Sequence, residues 1–256
     1  MSAAVFTKYL SDSRRGLIGW AVGTAMVGIV YASTYESQKE NTASLPEALR
    51  QSLNIDATAA GYLHASVFGI ILPLLAVIYG VTAGARAVAG DEESGQLDLV
   101  LAHPLTRTSL VLQRFWALTV GAFGIAGLVW LGLLAIRDSA QLSSISPVQF
   151  LAQCVNLALV GVLFGALALG VGSVVGRRTV VLVVSAVVGV VTYMAGTFAG
   201  QLDADWLAWI SPFHYYIGGE PLKNGFQWGD MTVLVVASAV LVVVGLARFN
   251  RRDINV

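Results

Sequence analysis

Long apolar stretches, separated by short polar and charged segments, dominate the pattern of the chain. A helix needs about 20 apolar residues to cross a bilayer. Six windows come close to this length or exceed it, at about 16–34, 62–83, 113–136, 149–175, 179–199 and 231–248. β-Barrel strands would be about ten residues long with alternating polarity, so these windows are too long and too uniform for a barrel. The pattern predicts an all-α integral membrane protein whose six transmembrane helices form a single domain over residues 1–256.

The composition excludes a soluble globular enzyme. The 256 residues are 56% hydrophobic and 12% charged, with a mean hydropathy of +0.74. Soluble domains carry about 25% charged residues, which they need to cover their surface. The 15 basic and 15 acidic residues balance, so no overall charge attracts the chain to nucleic acid.

The distribution of Lys and Arg predicts the orientation of the chain. With six spans, the termini and the second and fourth loops share one side of the membrane. That side holds eleven basic and six acidic residues, and the other side holds four basic and nine acidic ones. Basic residues accumulate on the cytoplasmic side, so we expect a multi-pass protein of the cell (cytoplasmic) membrane with both termini in the cytoplasm.

Two segments outside the spans have amphipathic patterns. Residues Ala3–Leu10 place their large apolar side chains on one helical face, which predicts an N-terminal helix lying on the inner membrane surface. The outer loop 35–61 contains a capping-box pattern at Ser44–Glu47, and Leu45, Leu49 and Leu53 follow at helical spacing. This loop forms either a short amphipathic helix or a solvated spacer.

The outer segment 201–230 is rich in aromatic residues, prolines and glycines. Aromatic side chains concentrate at bilayer interfaces, so one interpretation is an interfacial belt. The other is a re-entrant pair of short helices that caps an outer cavity, which the Pro and Gly breaks permit. Under the second interpretation, the possible outer gate consists of Trp206, Phe213, Tyr215 and Tyr216.

Arg114 and Arg248 lie at the ends of their spans, and no acidic or basic residue lies deeper within a span, so a proton relay or ion pathway has no evident carrier. A possible substrate path is marked by mildly polar groups and one methionine: His64, Asn156, Thr192, Tyr193, Met194 and Thr197. Hydrogen bonding between helices is the alternative role of the polar groups. Glycines spaced four apart, such as Gly161 and Gly165, indicate either tight helix packing or a moving interface.

The segment 84–110, between the second and third spans, carries the most specific pattern. Residues Asp91–Pro104 predict a short helix, with Asp91 as its cap and Glu92 and Glu93 at the positive end of its dipole. Leu97, Val100 and Leu101 form an apolar stripe, and Pro104 ends the helix. An exposed amphipathic helix of this kind is typical of one that docks into a groove of another protein.

The segment Gly84–Arg107 resembles the signature segment of type-2 ABC-transporter permeases. The shared pattern is an acidic pair, Gly, a polar residue, Leu, an acidic residue, two apolar residues, a spacer, Pro, a small residue and Arg. This chain has Gln96 where the family usually has Thr, and Asp98 where it has Glu. The resemblance extends over essentially the whole chain, with Ser211-Pro212-Phe213 before the last span and Phe249–Asp253 after it.

The resemblance implies that segment 84–110 holds a coupling helix that docks on a separate nucleotide-binding subunit. The docking residues that it implies are Glu92, Glu93, Gly95, Leu97, Leu101, Pro104 and Arg107. The stretch closest to a P-loop, Gly172–Thr179, has one spacer residue too few and Arg in place of Lys, so we expect ATP and Mg to bind in the partner subunit. No catalytic residue, metal site or bound cofactor is expected in this chain, which is not an enzyme by itself.

Six spans are half of the transmembrane unit in this family, so the resemblance implies pairing with a second permease copy or a paralogue. The predicted function is a permease that exports a lipophilic or amphipathic small molecule, such as a drug, an antibiotic or a lipid-like compound. Alternatives are a permease for copper-enzyme maturation or polysaccharide export and, in a different class, a membrane enzyme acting on lipids.

Overall fold

The computed structural model describes residues 4–43, 58–93, 95, 106–202, 204 and 206–251. Within these ranges every regular element is helical. Six helical stretches are long and apolar enough to cross a membrane, which confirms the predicted number of spans. Their bounds are Phe6–Lys39, Ala59–Gly90, Arg107–Ile136, Pro147–Val175, Arg178–Phe198 and Trp228–Arg251.

The elements follow one another in a simple order. They are α1 (Ala4–Ser33), α2 (Tyr35–Ala43), α3 (Ala59–Ala65), α4 (Leu72–Ala85), α5 (Arg107–Ile136), α6 (Pro147–Val175), α7 (Arg178–Phe198), α8 (Trp206–Ile210), α9 (Pro212–Ile217), α10 (Pro221–Asn224) and α11 (Trp228–Arg251). Two π-helical segments, Val67–Ile71 and Arg86–Gly90, flank α4 and make the second span continuous from α3 onward. Such π segments are rare and occur frequently at functional sites.

Local chemistry explains where the central spans begin and end. Ser146 forms a capping box with Gln149 at the start of α6, and Thr106 caps α5 by accepting a hydrogen bond from Ser109 N. Gly176 ends α6 in a left-handed conformation, with φ of 68°, which glycine adopts without steric cost.

The N-terminal helix is not a separate element as predicted, because α1 runs unbroken from residue 4 into the first span. No proline interrupts this stretch, and a helix tolerates isolated glycines. The start of α1 is also tied to the bundle, since Tyr9 OH donates to Ala83 O at 3.2 Å and Phe6 N donates to Gln113 Oε1 at 3.1 Å. The helix predicted to follow Ser44 lies outside the described residues.

The fourth span, α6, is the centre of the bundle, and its neighbours α4, α5, α7 and α11 pack around it. Small residues allow the closest approaches. A Cβ added at Gly80 would overlap the carbonyl oxygen of Gly161, and one added at Gly84 would overlap that of Gly165. The backbones of α4 and α6 are therefore in direct contact, as in small-residue interfaces of membrane helices. This contact supports the tight-packing interpretation of Gly161 and Gly165.

Candidate functional site

The first described part of segment 84–110 continues the second span through the π segment Arg86–Gly90, in which Ala87, Val88 and Ala89 are buried. The π segment leads into a single turn, Asp91–Glu93, in which Glu92 is half-buried and Glu93 is exposed. Gly95 then adopts φ of 69°, and its N–H donates to Glu92 O at 3.1 Å. Asp91 is not the helix cap that the sequence predicts, because it lies inside a continuing helical run, and the left-handed Gly95 follows this run. Most of the predicted helix Asp91–Pro104 lies outside the described residues. Leu97, Leu101 and Pro104 lie outside the described residues.

Two arginines of α5 fasten both ends of this segment to the bundle. The buried Arg114, 4% exposed, donates to Ala87 O of the π segment and lies over the Tyr9 ring at 5.8 Å. Arg107 donates to Phe249 O at 3.1 Å and lies 5.5 Å from the centre of the Phe249 ring. A small apolar cluster fills the space between these contacts: Ala87, Val88, Leu110, Val111, Leu169 and Phe249.

A groove of about 430 Å³ separates the second span from the fifth. Aliphatic side chains make up most of its walls, and among the described residues no charged side chain lines it. Most of the lining is not evident from the sequence, because each span carries apolar residues on more than one face and periodicity does not distinguish the groove face. The lining residues are Ile70, Pro73, Leu74, Val77, Ile78, Val81, Thr82, Leu182, Ala186, Gly189, Val190, Tyr193 and Phe213.

Phe213 lies at the end of the groove toward the aromatic segment. Its ring centre is 5.2 Å from that of Tyr193 and 5.8 Å from that of Phe164. Ser211 positions it, because Ser211 Oγ accepts from Phe213 N at 3.2 Å and donates to Thr192 O at 2.7 Å. The start of α9 is thereby joined to α7, and Phe213 covers this end of the groove.

The other predicted gate residues lie elsewhere in the aromatic segment. Trp206 is exposed on α8, as is Trp209, each at 63%. Tyr215 is half-buried and donates from its hydroxyl to Trp209 O at 2.9 Å, whereas Tyr216 is buried. The two interpretations of the segment therefore describe different parts of it. The exposed tryptophans of α8 suit the bilayer interface. By contrast, α9 packs inward against α6, α7 and α11.

Of the residues predicted to mark a substrate path, only Tyr193 lines the groove. The hydroxyls of Thr192 and Thr197 donate to carbonyls one turn earlier in α7, at 2.7 and 2.9 Å. Met194 is exposed, and His64 is half-buried on α3. The structure does not bring these residues together.

Asn156, the sixth residue of that set, belongs to a polar face of α6. Its Nδ2 donates to Tyr216 O at 3.0 Å, and Gln149 Nε2 donates to Lys223 O at 2.6 Å. Gln153, fully buried, lies between these two residues at helical spacing. This face holds α9 and α10 against the bundle. Asn156 therefore forms a hydrogen bond between helices, which is the alternative to a place in the substrate path.

The bundle and its intramembrane groove define a multi-pass membrane protein of the permease class. The family model described as "Multidrug efflux system permease Rv1217c, C-terminal domain" matches residues 9–250, and the chain belongs to this family. The match is consistent with the resemblance to ABC-transporter permeases. A search of curated proteins finds no match to the chain.

Proposed function

We propose that this chain is the permease subunit of an ATP-driven ABC exporter whose cargo is a lipophilic or amphipathic small molecule. The groove between the second and fifth spans carries this proposal. Its volume of about 430 Å³ lies within the range of about 300–1,000 Å³ typical of small-molecule sites. The aliphatic walls favour an apolar cargo, because the hydroxyls of a polysaccharide would stay unpaired against them.

The ATP that drives transport is hydrolysed with Mg in a separate nucleotide-binding subunit, which docks on segment 84–110. The exposed Glu93 and the turn at Gly95 support an accessible docking surface. Docking also involves Glu92, Leu97, Leu101 and Pro104, whereas Arg107 fastens the end of the segment to Phe249.

Alternating access follows from the continuity of the second span. The π segment Arg86–Gly90 joins the docking segment directly to α4, and α4 forms one wall of the groove. A displacement of the docking segment therefore moves a groove wall relative to α7. A second copy or paralogue completes the transmembrane unit in the cytoplasmic membrane, with the termini in the cytoplasm. The exposure of α7, in whose most apolar stretch 17% of the residues are buried, supports such pairing.

Filling the groove tests the cargo site. Ala186→Trp places a bulky side chain into the groove, and Val187→Trp, the control, places it at an exposed position outside the groove. We expect Ala186→Trp to reduce ATP-dependent efflux of a hydrophobic dye at least about tenfold at unchanged expression, since the cargo loses its contact area. Equal efflux by both variants would contradict the assignment.

Charge reversal tests the docking segment. In the assembled complex, Glu92→Lys combined with Glu93→Lys is expected to abolish transport-coupled ATPase activity, because two carboxylates of the docking surface change sign. Asp138→Lys serves as the control, since Asp138 is an exposed carboxylate beyond the opposite end of α5. Full coupling in the double variant would refute the docking role and leave the groove assignment untouched.

A further inference from the structure

A second crevice lies at the arginine-rich end of the bundle, between α1, α4 and α5, and has a volume of about 270 Å³. Unlike the groove, the crevice has an apolar part and a polar part. Leu17, Trp20 and Leu118 line its apolar part, and Ser13, Arg86 and Arg178 line its polar part. An amphipathic ligand would match both parts.

The polar part offers two exposed guanidinium groups. Among the described residues, neither the Arg86 nor the Arg178 guanidinium group has a hydrogen bond or salt bridge. The other titratable groups lining the crevice are engaged, since Tyr9 OH donates to Ala83 O and Tyr79 OH donates to Leu118 O at 3.0 Å. Two available guanidinium groups at one crevice suit a phosphate, which accepts several charge-assisted hydrogen bonds.

The apolar part has room for a hydrocarbon chain. Gly16 of α1 lines the crevice, and a Cβ added there would meet no described atom within 4 Å. The rings of Trp20 and Tyr79 meet edge to face, with centres 6.2 Å apart, and form a firm wall. A soluble phosphate would leave this part empty, whereas a phospholipid would cover it with an acyl chain.

We propose that this crevice binds an anionic phospholipid, with the phosphate between Arg86 and Arg178 and an acyl chain against Leu17 and Trp20. A lipid bound there contacts α1, α5, the start of α7 and the end of α4 from which segment 84–110 departs. It therefore stabilises the base of that segment. The cargo groove borders a neighbouring side of α4, where Thr82 lines both the groove and the crevice, and its other lining residues are different.

The test is a titration of the detergent-purified full chain with phosphatidylglycerol, phosphatidylcholine of the same acyl chains, or glycerol phosphate. Native mass spectrometry counts bound ligand, and thermal unfolding reports stabilisation. We expect phosphatidylglycerol at about a hundred times its Kd to raise Tm by about 5 °C. Equal binding of phosphatidylcholine would overturn the headgroup assignment, and equal binding of glycerol phosphate would overturn the lipid assignment.

Two sets of variants locate the site. Arg86→Gln combined with Arg178→Gln should weaken phosphatidylglycerol binding at least about tenfold, because two charge-assisted hydrogen bonds are lost. Arg248→Gln with Arg251→Gln removes the same charge from α11, outside the crevice, and should leave binding unchanged. An equal loss in both double variants would show diffuse surface attraction and refute the site.

Gly16→Leu tests the apolar part without changing charge. The open space at Gly16 should accommodate the new side chain, so we expect the variant to fold. Phosphatidylglycerol should no longer raise its Tm. Wild-type stabilisation in this variant would refute the position of the acyl chain.

Discussion

The two faces of α4 show how one span forms a closed interface and an open one. Toward α6, Gly80 and Gly84 bring the two backbones into contact. Toward α7, Leu74, Val77 and Val81 border a groove of about 430 Å³. Both faces are apolar, so hydrophobicity does not distinguish them. The size of the side chains does, because residues without a Cβ let the backbones meet and larger ones hold the neighbouring helix away.

The largest effect on stability is expected where a substitution forces α4 and α6 apart. Gly80→Ala adds one methyl group that overlaps Gly161 O, and a backbone atom cannot move aside as a side chain does. We expect a loss of about 3 kcal/mol or more in the free energy of unfolding, measured by denaturation in detergent micelles. Gly19→Ala on α1, where a Cβ meets no described atom within 4 Å, is the control and should be neutral or slightly stabilising. Similar losses of stability in both variants would show that the contact between α4 and α6 does not depend on Gly80.

An intermediate effect on stability is expected where α6 holds α9 and α10 against the bundle. Asn156→Ala leaves the carbonyl of Tyr216 without its side-chain donor in a buried site, which should cost about 1–3 kcal/mol. Thr192→Val is the comparison variant, because among the described residues that hydroxyl bonds only within its own helix. We expect Thr192→Val to change stability by less than about 0.5 kcal/mol. The reverse order would show that the Thr192 hydroxyl contributes more to stability than the Asn156 amide.

A smaller effect is expected at the end of the open face. Ser211→Ala removes the hydroxyl that joins Phe213 N to Thr192 O, and the loss of this cap should cost about 1 kcal/mol. Because Phe213 covers the groove end, the variant should also export a different range of dye sizes. An unchanged size range alongside reduced stability would limit Ser211 to a structural role.

The smallest effect on stability is expected inside the groove. Leu74→Phe enlarges a side chain that is 55% exposed, so the new atoms extend into open space. Stability should change by less than about 0.5 kcal/mol, although the added group is larger than the methyl of Gly80→Ala. Thermal unfolding of both variants in one detergent compares the two faces directly, and a larger loss for Leu74→Phe would show that the groove is closed in solution.

The amino-acid sequence by itself determined the number of spans. The bilayer sets a minimum length of apolar helix, and charged residues mark where each span ends. It also indicated the membrane-permease class, through the apolar composition and the resemblance of Gly84–Arg107 to a known permease family. Capping signals such as Ser146 and Gln149 need only neighbouring residues, so they too can be read along the chain.

Only the tertiary structure decided which apolar residues border the groove, which glycines touch another backbone, and what the polar residues do. Asn156 and Tyr193 looked alike as mildly polar groups within spans, yet one is buried against α9 and the other lines the groove. The physical reason is that a membrane span carries apolar residues on several sides. Its pattern therefore does not show which side meets lipid, another helix or cargo, and the packing of distant segments makes that choice.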